Sequence, residues 1–421
     1  MIAPIAPRAP KRGIQDRWDR DGARPAALAV GPAEMNHTLP YSVDAAPDGG
    51  PGNTPSTHHE PIVAIQASRR RVHSKVTRGS LLLTFVLVAG AAACRDGQRQ
   101  AAPAPSPSPA APSITAAAGA QDGGPSIVEY AVPDGSHPHD VAPAADGSVW
   151  YTAQATGELG LLHALTGATE HISLGSGSAP HGVIVGPDGA PWITDAGLNA
   201  IVRVDPQTHE VRPYPLPADR QNANLNTAAF DSRGWLWFTG QSGTYGRLDP
   251  TTGDMAVFDA PRGRGPYGIT STPAGEIYFA SLAGSYLGDV DEETGAVTVL
   301  EPPTRDAGPR RAWSDADGRV WVSEWNSGKL ARYDPADGTW SEWRLPGQSP
   351  QAYAVYVDWR GQVWTSDFGG NTLVRFDPAT EEFESFALPA QPGNVRQILG
   401  REGEVWAAES AADRLIVLRY D

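Results

Sequence analysis

The residues best suited to acid–base or metal chemistry recur at two fixed distances from a repeated aromatic residue. The first set lies eleven residues before the aromatic and comprises His139, His181, Asn226, Tyr267, Arg310, Tyr353 and Val395. The second set lies three residues after it and comprises Ala153, Asp195, Gly240, Ser281, Glu324, Asp367 and Glu409. Residue type changes from repeat to repeat at both positions, which is typical of a binding or catalytic site rather than of packing.

Two histidines of the first set are candidates for general acid–base catalysis. His181 precedes Asp195 by 14 residues within one repeat, so both side chains are expected to face the same region. A carboxylate beside a neutral imidazole can orient it as a base. His181 and Asp195 are therefore the predicted catalytic pair, with His139 at the equivalent place in the preceding repeat. The alternative is that both histidines only hydrogen-bond the backbone.

Four carboxylates occur in the second set and would repel one another if they converged. A divalent cation such as Mg²⁺, held by Glu324, Asp367 and Glu409, would relieve that repulsion. Ion pairs with Arg310 and Arg396 would relieve it equally well. The predicted substrate-binding residues are Tyr267, Arg310, Tyr353, Asn226 and Arg396, and tyrosine and arginine are common binding anchors.

The elements that position these residues follow from the repeat itself. Its aromatic anchors are Trp150, Trp192, Trp237, Tyr278, Trp321, Trp364 and Trp406, spaced by 41 to 45 residues. Glycine-containing turns and alternating apolar residues within each repeat predict four short β-strands, and the period is typical of propeller blades. We therefore predict an all-β fold over residues 127–421, a seven-bladed β-propeller with four strands per blade.

The strand count also predicts how the ring closes. The seventh repeat ends after three strands, at the end of the sequence, so its outer strand is missing. The segment 127–132 has the pattern of an outer strand and precedes the first inner strand. We expect this N-terminal strand to complete the last blade, which would remove an exposed sheet edge.

The N-terminal third predicts export. Residues 72–94 contain basic residues, then an apolar run from Leu81 to Ala93, then Cys94, in the order of a secretory signal. Small residues before a cysteine resemble a bacterial lipobox, so Cys94 is the predicted lipidation site of a membrane-anchored extracytoplasmic lipoprotein. An ordinary cleaved signal is the alternative. Residues 1–71 are predicted to be a disordered or wrongly assigned extension, and residues 95–126, rich in Ala, Pro and Ser, a linker.

Net charge limits the choice of partner. The chain has 33 basic and 48 acidic residues, of which 22 and 41 follow position 94, giving that part a charge of −19. Such a surface argues against nucleic-acid binding, which depends on Lys and Arg. We expect a monomer that binds a small molecule or cyclic peptide and reaches the membrane only through Cys94.

Three motifs resemble one known family. Pro180-His181-Gly182-Val183, the segment Gly318 to Trp325 and the Asp-Pro-x-Thr-Gly turns are similar to the virginiamycin B lyases, or streptogramin lyases. The resemblance implies a seven-bladed propeller that opens the ester of a cyclic depsipeptide by β-elimination, with Mg²⁺ and a channel histidine. It also implies that Glu324 binds the metal.

One position departs from this family. The family's catalytic histidine corresponds to Arg310, which cannot act as a base at neutral pH. Either His181 or His139 replaces it, or the chemistry is absent. The two resulting hypotheses are a metal-assisted carbon–oxygen lyase and a non-catalytic extracytoplasmic propeller that binds a ligand or a protein.

Overall fold

The computed structural model describes residues 114–116 and 125–419, and the predicted N-terminal extension, signal peptide and Cys94 lie outside them. The described residues form 29 β-strands in seven antiparallel sheets, with no α-helix among them. No segment of this part of the chain is a helix of membrane-spanning length and hydropathy. The seven-bladed propeller expected from the repeat is confirmed.

Two strands, β1 (Ile114–Ala116) and β2 (Ser126–Ala131), precede six complete blades. Blade 1 comprises β3 (Pro138–Pro143), β4 (Ser148–Ala153), β5 (Glu158–His163) and β6 (Ala168–Ser173). Blade 2 comprises β7 (Pro180–Val185), β8 (Pro191–Asp195), β9 (Ala200–Val204) and β10 (Val211–Pro215). Blade 3 comprises β11 (Leu225–Phe230), β12 (Leu236–Gly240), β13 (Thr244–Leu248) and β14 (Met255–Asp259). Blade 4 comprises β15 (Pro266–Ser271), β16 (Ile277–Ser281), β17 (Tyr286–Val290) and β18 (Val297–Leu300). Blade 5 comprises β19 (Pro309–Ser314), β20 (Val320–Glu324), β21 (Lys329–Asp334) and β22 (Thr339–Arg344). Blade 6 comprises β23 (Ala352–Val357), β24 (Val363–Asp367), β25 (Thr372–Asp377) and β26 (Glu382–Ala387).

Blade 7 joins both ends of the propeller. It contains β27 (Val395–Arg401), β28 (Glu404–Glu409) and β29 (Arg414–Arg419), and β2 pairs antiparallel with β29 as the fourth strand. The predicted closure is therefore confirmed. The short strand β1 adds a fifth strand to this sheet by pairing with β2, within the segment expected to be a linker.

The aromatic anchors are buried between neighbouring sheets and are held by the turn that precedes them. Trp237, Trp321 and Trp364 are at most 1% exposed. Their indole N–H groups donate to turn carboxylates, for example from Trp237 to Asp231 at 3.0 Å. Burial of the ring and satisfaction of its only polar atom explain why tryptophan recurs at this position.

Every innermost strand contains a β-bulge near its start. In blade 1, Pro138 pairs with Ala153 and Val141 with Tyr151, which leaves one extra residue on β3. The same shift occurs at the start of the other six inner strands. A bulge re-aims side chains locally. Two consecutive residues of each inner strand can therefore contribute to the central channel.

A hydroxyl group on the second strand links the bulge to the next blade. Thr152 accepts from the backbone amide of Asp140 and donates to the carbonyl of His181. Equivalent bonds are made by Thr194, Thr239, Ser323 and Ser366. Alanine takes this position in blades 4 and 7, as Ala280 and Ala408. These hydroxyl links hold adjacent inner strands in register.

Candidate active site in the central channel

The first predicted set of residues lies together in the channel. The rings of His139 and His181 are 3.8 Å apart between centroids, and Tyr267 packs edge-on against His181 at 5.9 Å. The hydroxyl groups of Tyr267 and Tyr353 are hydrogen-bonded across the channel. The repeat alignment thus identifies a continuous layer of polar and aromatic side chains.

Blade 7 contributes Arg396 to this layer instead of the aligned Val395. The ladder pairs Val395 with Glu409 as it pairs Ala352 with Asp367, so Arg396 occupies the position of Tyr353. The hairpin between β27 and β28 is one residue shorter than in the other blades. Counting eleven residues back from Trp406 therefore gives Val395 instead of Arg396. Arg396 lies 5.9 Å from the ring of Tyr353 and donates from Nε to Ser410.

The second residue of each bulge was not among the sequence candidates. Asp140, Thr227, Arg311 and Gln397 occupy these places and line a small cavity of about 30 Å³. Strict alternation along a strand would direct them away from the channel, so the pattern gave no sign of them. Arg311 donates to both carboxylate oxygens of Asp140, at 2.9 and 3.3 Å.

His139 and Asp140 form a buried acid–base pair. His139 Nδ1 lies 2.8 Å from a carboxylate oxygen of Asp140, and the two residues are 2% and 1% exposed. Burial and the nearby charges of Arg396, Arg311 and Arg310 lower the pKa of His139 well below its usual value. The imidazole is therefore neutral at physiological pH, with Nδ1 donating to the carboxylate and Nε2 bearing the lone pair.

His181 is paired differently from the sequence expectation. Its Nδ1 lies 3.1 Å from the carbonyl oxygen of Asn226 and its Nε2 lies 3.2 Å from the amide nitrogen of the same residue. Asp195 instead accepts from the backbone amides of Ala179 and Leu198. The predicted pair of His181 and Asp195 is not formed, because the carboxylate is used to fix two loops of its own blade.

The predicted metal-binding carboxylates also stay within their own blades. Asp367 accepts from the backbone amides of Gln351 and Gly369 at 2.7 and 2.9 Å, and Glu409 from that of Ala390 at 3.1 Å. The structure does not bring Glu324, Asp367 and Glu409 together: Asp367 and Glu409 each brace the loop entering their blade, and Glu324 accepts from Ser327 in the turn after β20.

Glu324 remains chemically unusual. It accepts from Ser327, while its Oε1 is buried without a hydrogen-bond partner among the described residues. Burial raises the pKa of this carboxyl to about 7. A group of this kind can exchange a proton near neutral pH.

Arg310 is enclosed by aromatic rings. Its guanidinium carbon lies 3.6 Å from the ring centroid of Tyr353, 4.7 Å from Tyr267 and 4.6 Å from Trp325. Arg310 donates to the Tyr267 hydroxyl at 3.4 Å. Burial alone would raise the pKa of Tyr353, but the charges of Arg310, Arg396 and Arg311 outweigh it and lower that pKa to about 8.

One group among the described residues has the composition and spacing to hold a metal ion. Ligand atoms of His139, Asp140 and His181 all lie within 4.8 Å of one another. Sequence reasoning anticipated both histidines but assigned the metal to other residues. Asp140 was not predicted, because the bulge in β3 breaks the alternation on which the prediction depended.

Comparison with solved structures gives similar propellers. A catalytically inactive virginiamycin B lyase from Staphylococcus aureus with quinupristin is 20% identical, with a TM-score of 0.64, over 70% of this chain and 98% of that one. A streptogramin B lyase is 22% identical with a TM-score of 0.65, covering 70% and 97%. The extracellular domain of a putative hybrid two-component system from B. thetaiotaomicron is 16% identical with a TM-score of 0.56, covering 69% and 41%.

No curated protein matches the sequence significantly. The model of the virginiamycin B lyase family matches residues 125–417, which include all seven blades. The chain therefore belongs to the virginiamycin B lyase family.

Proposed function

We propose that this propeller is a carbon–oxygen lyase that opens an ester by β-elimination, with His139 as the general base. The observation that carries the proposal is the buried pair of His139 and Asp140, in which the carboxylate fixes the ring and the imidazole stays neutral. Family membership supports the reaction class. A cyclic depsipeptide or a related ester is the proposed substrate.

The reaction requires one base and one site for negative charge. Nε2 of His139 would take the proton from the carbon next to the substrate carbonyl, and that electron pair would form the carbon–carbon double bond. The bond between the β-carbon and the ester oxygen would break, and the acyl group would leave as a carboxylate. Arg310 and Arg396 supply positive charge in the same layer.

The Mg²⁺ implied by the family does not fit the donors that the channel offers. Magnesium prefers several oxygen ligands, whereas the only suitable cluster of described residues has two imidazoles and one carboxylate. That carboxylate already accepts from Arg311 and His139. Burial and the positive charges of three arginines lower the pKa of His139, and the same charges would repel a cation. We therefore assign no step to a metal.

Quinupristin is the first substrate to test. Elimination would open the ring without changing its mass, whereas hydrolysis would add one water, so mass spectrometry separates the two reactions. We expect His139→Gln to reduce kcat/KM by about 100-fold or more. The matched control is His163→Gln, because His163 is an exposed histidine of blade 1 paired with Glu170.

Two further results would test the mechanism. The rate should stay constant from pH 8 to pH 6, because a base with a lowered pKa remains deprotonated there. It should also be insensitive to a chelator. Full activity in His139→Gln would refute the role of this residue, and loss of activity with a chelator would refute the metal-independent scheme.

A second candidate function is ligand binding without turnover. His139 and His181 are only 2% and 5% exposed, because Tyr267 and the second histidine cover them. This closure favours a receptor, and the similar bacterial extracellular propeller belongs to a putative two-component system. Binding of an ester substrate with no product from any ester tested would favour this alternative.

A further inference from the structure

The charge of Arg310 has no carboxylate counterpart among the described residues. Asp140, the acidic side chain of the channel layer, is bound to Arg311 instead. The Nε of Arg310 is buried and lacks a hydrogen-bond partner within the part of the chain described. At pH 7 the Tyr353 phenol, with its pKa of about 8, is still mostly protonated. The guanidinium is thus surrounded by neutral rings.

The aromatic rings orient Arg310 as well as shield it. The guanidinium carbon lies over the Tyr353 ring, 3.6 Å from its centroid, and the Tyr353 ring stacks on Phe368 at 4.8 Å. Of its N–H groups, Nη2 donates to the Tyr267 hydroxyl and Nε lacks a partner among the described residues, so the guanidinium edge that carries Nε still has a donor to satisfy. A planar, bidentate acceptor such as a carboxylate matches this edge.

An open groove lies against Trp325, one of the rings around Arg310. Trp325, which contacts Arg310, also lines a cavity of about 620 Å³ between the loops of blades 5 and 6, with Ser349, Gln351 and Gly369 on its far side. This volume lies in the range of small-ligand sites. A ligand could place its body in the groove and an anionic end against Arg310.

We propose that Arg310, held by Tyr267, Trp325 and Tyr353, is a subsite for the carboxylate of a peptide-like ligand whose body lies in the groove between blades 5 and 6. This inference deepens the proposed function, since elimination of an ester releases a carboxylate. Its binding step rests on the contacts of Arg310 alone. Arg310 stands where the family's catalytic histidine is expected, so this replacement would change the role of the position from proton transfer to anion binding.

Calorimetric titration at pH 7 tests the subsite without any turnover. The probes are N-acetylphenylalanine and its uncharged amide. We expect the acid to bind and the amide to bind at least about tenfold more weakly, because a charge-assisted hydrogen bond is lost. Arg310→Met should weaken acid binding by a similar factor. Equal binding of both probes, or unchanged affinity in Arg310→Met, would overturn the proposal.

Arg212→Met is the matched control, because Arg212 also lies over a tyrosine ring, at 4.9 Å from Tyr214, but on the outer strand of blade 2. Its affinity should equal that of the wild type. Should Arg310→Met not fold, ultraviolet titration of the wild type serves instead. Bound carboxylate should move the ionisation of Tyr353 to higher pH, and an unmoved midpoint would overturn the proposal.

The outcomes separate this inference from the proposed function. Binding of the acid through Arg310 without turnover of any ester would support the subsite and refute the lyase. Turnover that needs His139, together with equal binding of the acid and amide probes, would support the lyase and overturn the subsite.

Discussion

The buried ion pair across the channel leads to the sharpest prediction about stability. Arg311 and Asp140 are 4% and 1% exposed, and they are joined by hydrogen bonds of 2.9 and 3.3 Å. Arg311→Met would leave the Asp140 carboxylate buried with His139 as its remaining side-chain partner. Removal of one partner of such a pair typically costs about 3–5 kcal/mol. We expect a loss of this size in the free energy of unfolding, measured in denaturant at pH 8.

A double-mutant cycle and a pH series test the reasoning. Asp140→Asn removes the charge, so the double variant should be destabilised by much less than the two single variants together. Burial already raises the pKa of Asp140 in the folded protein, and loss of Arg311 would raise it further. An acid with a raised folded pKa gains relative stability as the pH falls, so the Arg311→Met defect should be smaller at pH 5 than at pH 8. Additive, pH-independent losses would refute the ion pair.

Three further perturbations follow from the same structure. The pKa of Glu324 is about 7 in the folded protein against an ordinary 4.5, so the free energy of unfolding should fall by up to about 3 kcal/mol as the pH rises through this interval. Glu324→Gln should abolish this pH dependence in thermal unfolding. An unchanged pH profile in the variant would contradict the prediction. Tyr353→Phe should remove an ultraviolet ionisation step near pH 8, and Arg310→Met should move that step upward; a step that survives in Tyr353→Phe belongs to another tyrosine. Deletion of residues 126–131 should lower the melting temperature of the whole propeller, since β2 closes blade 7; an unchanged melting curve would disprove the role of this closure.

The fold was predictable because each repeat carries its own turn and anchor. An indole that is both buried and hydrogen-bonded to a turn carboxylate leaves the same sequence signature in successive blades, as Trp237 and Asp231 do. The missing outer strand then predicted the pairing of β2 with β29. These features depend on local spacing and on completing a ring, which a single sequence contains.

The site was predictable only where alternation and spacing hold. His139, His181, Tyr267, Arg310 and Tyr353 lie at one level because the hairpins of their blades have equal length.

The remaining assignments depend on local geometry. A bulge brings Asp140 beside His139. The turn of blade 7 is one residue shorter, so Arg396 rather than Val395 lies at the channel position. The partner of a carboxylate depends on loop conformation, which is why Asp195 binds backbone amides rather than His181.

The hydroxyl links between inner strands divide the ring into two arcs. They connect blades 1 to 4 in succession and blades 5 to 7 in succession, but Ala280 and Ala408 interrupt the series after blades 4 and 7. The histidines belong to the first arc, and Arg310 and Arg396 belong to the second. At these two junctions other side chains make the connection, because the backbone amide of Ser314 donates to Thr270 and that of Val141 donates to Gln397. The two arcs are therefore joined at both ends, and the pair of Arg311 with Asp140 connects them again across the channel, so the ring forms one hydrogen-bonded unit rather than two separable halves.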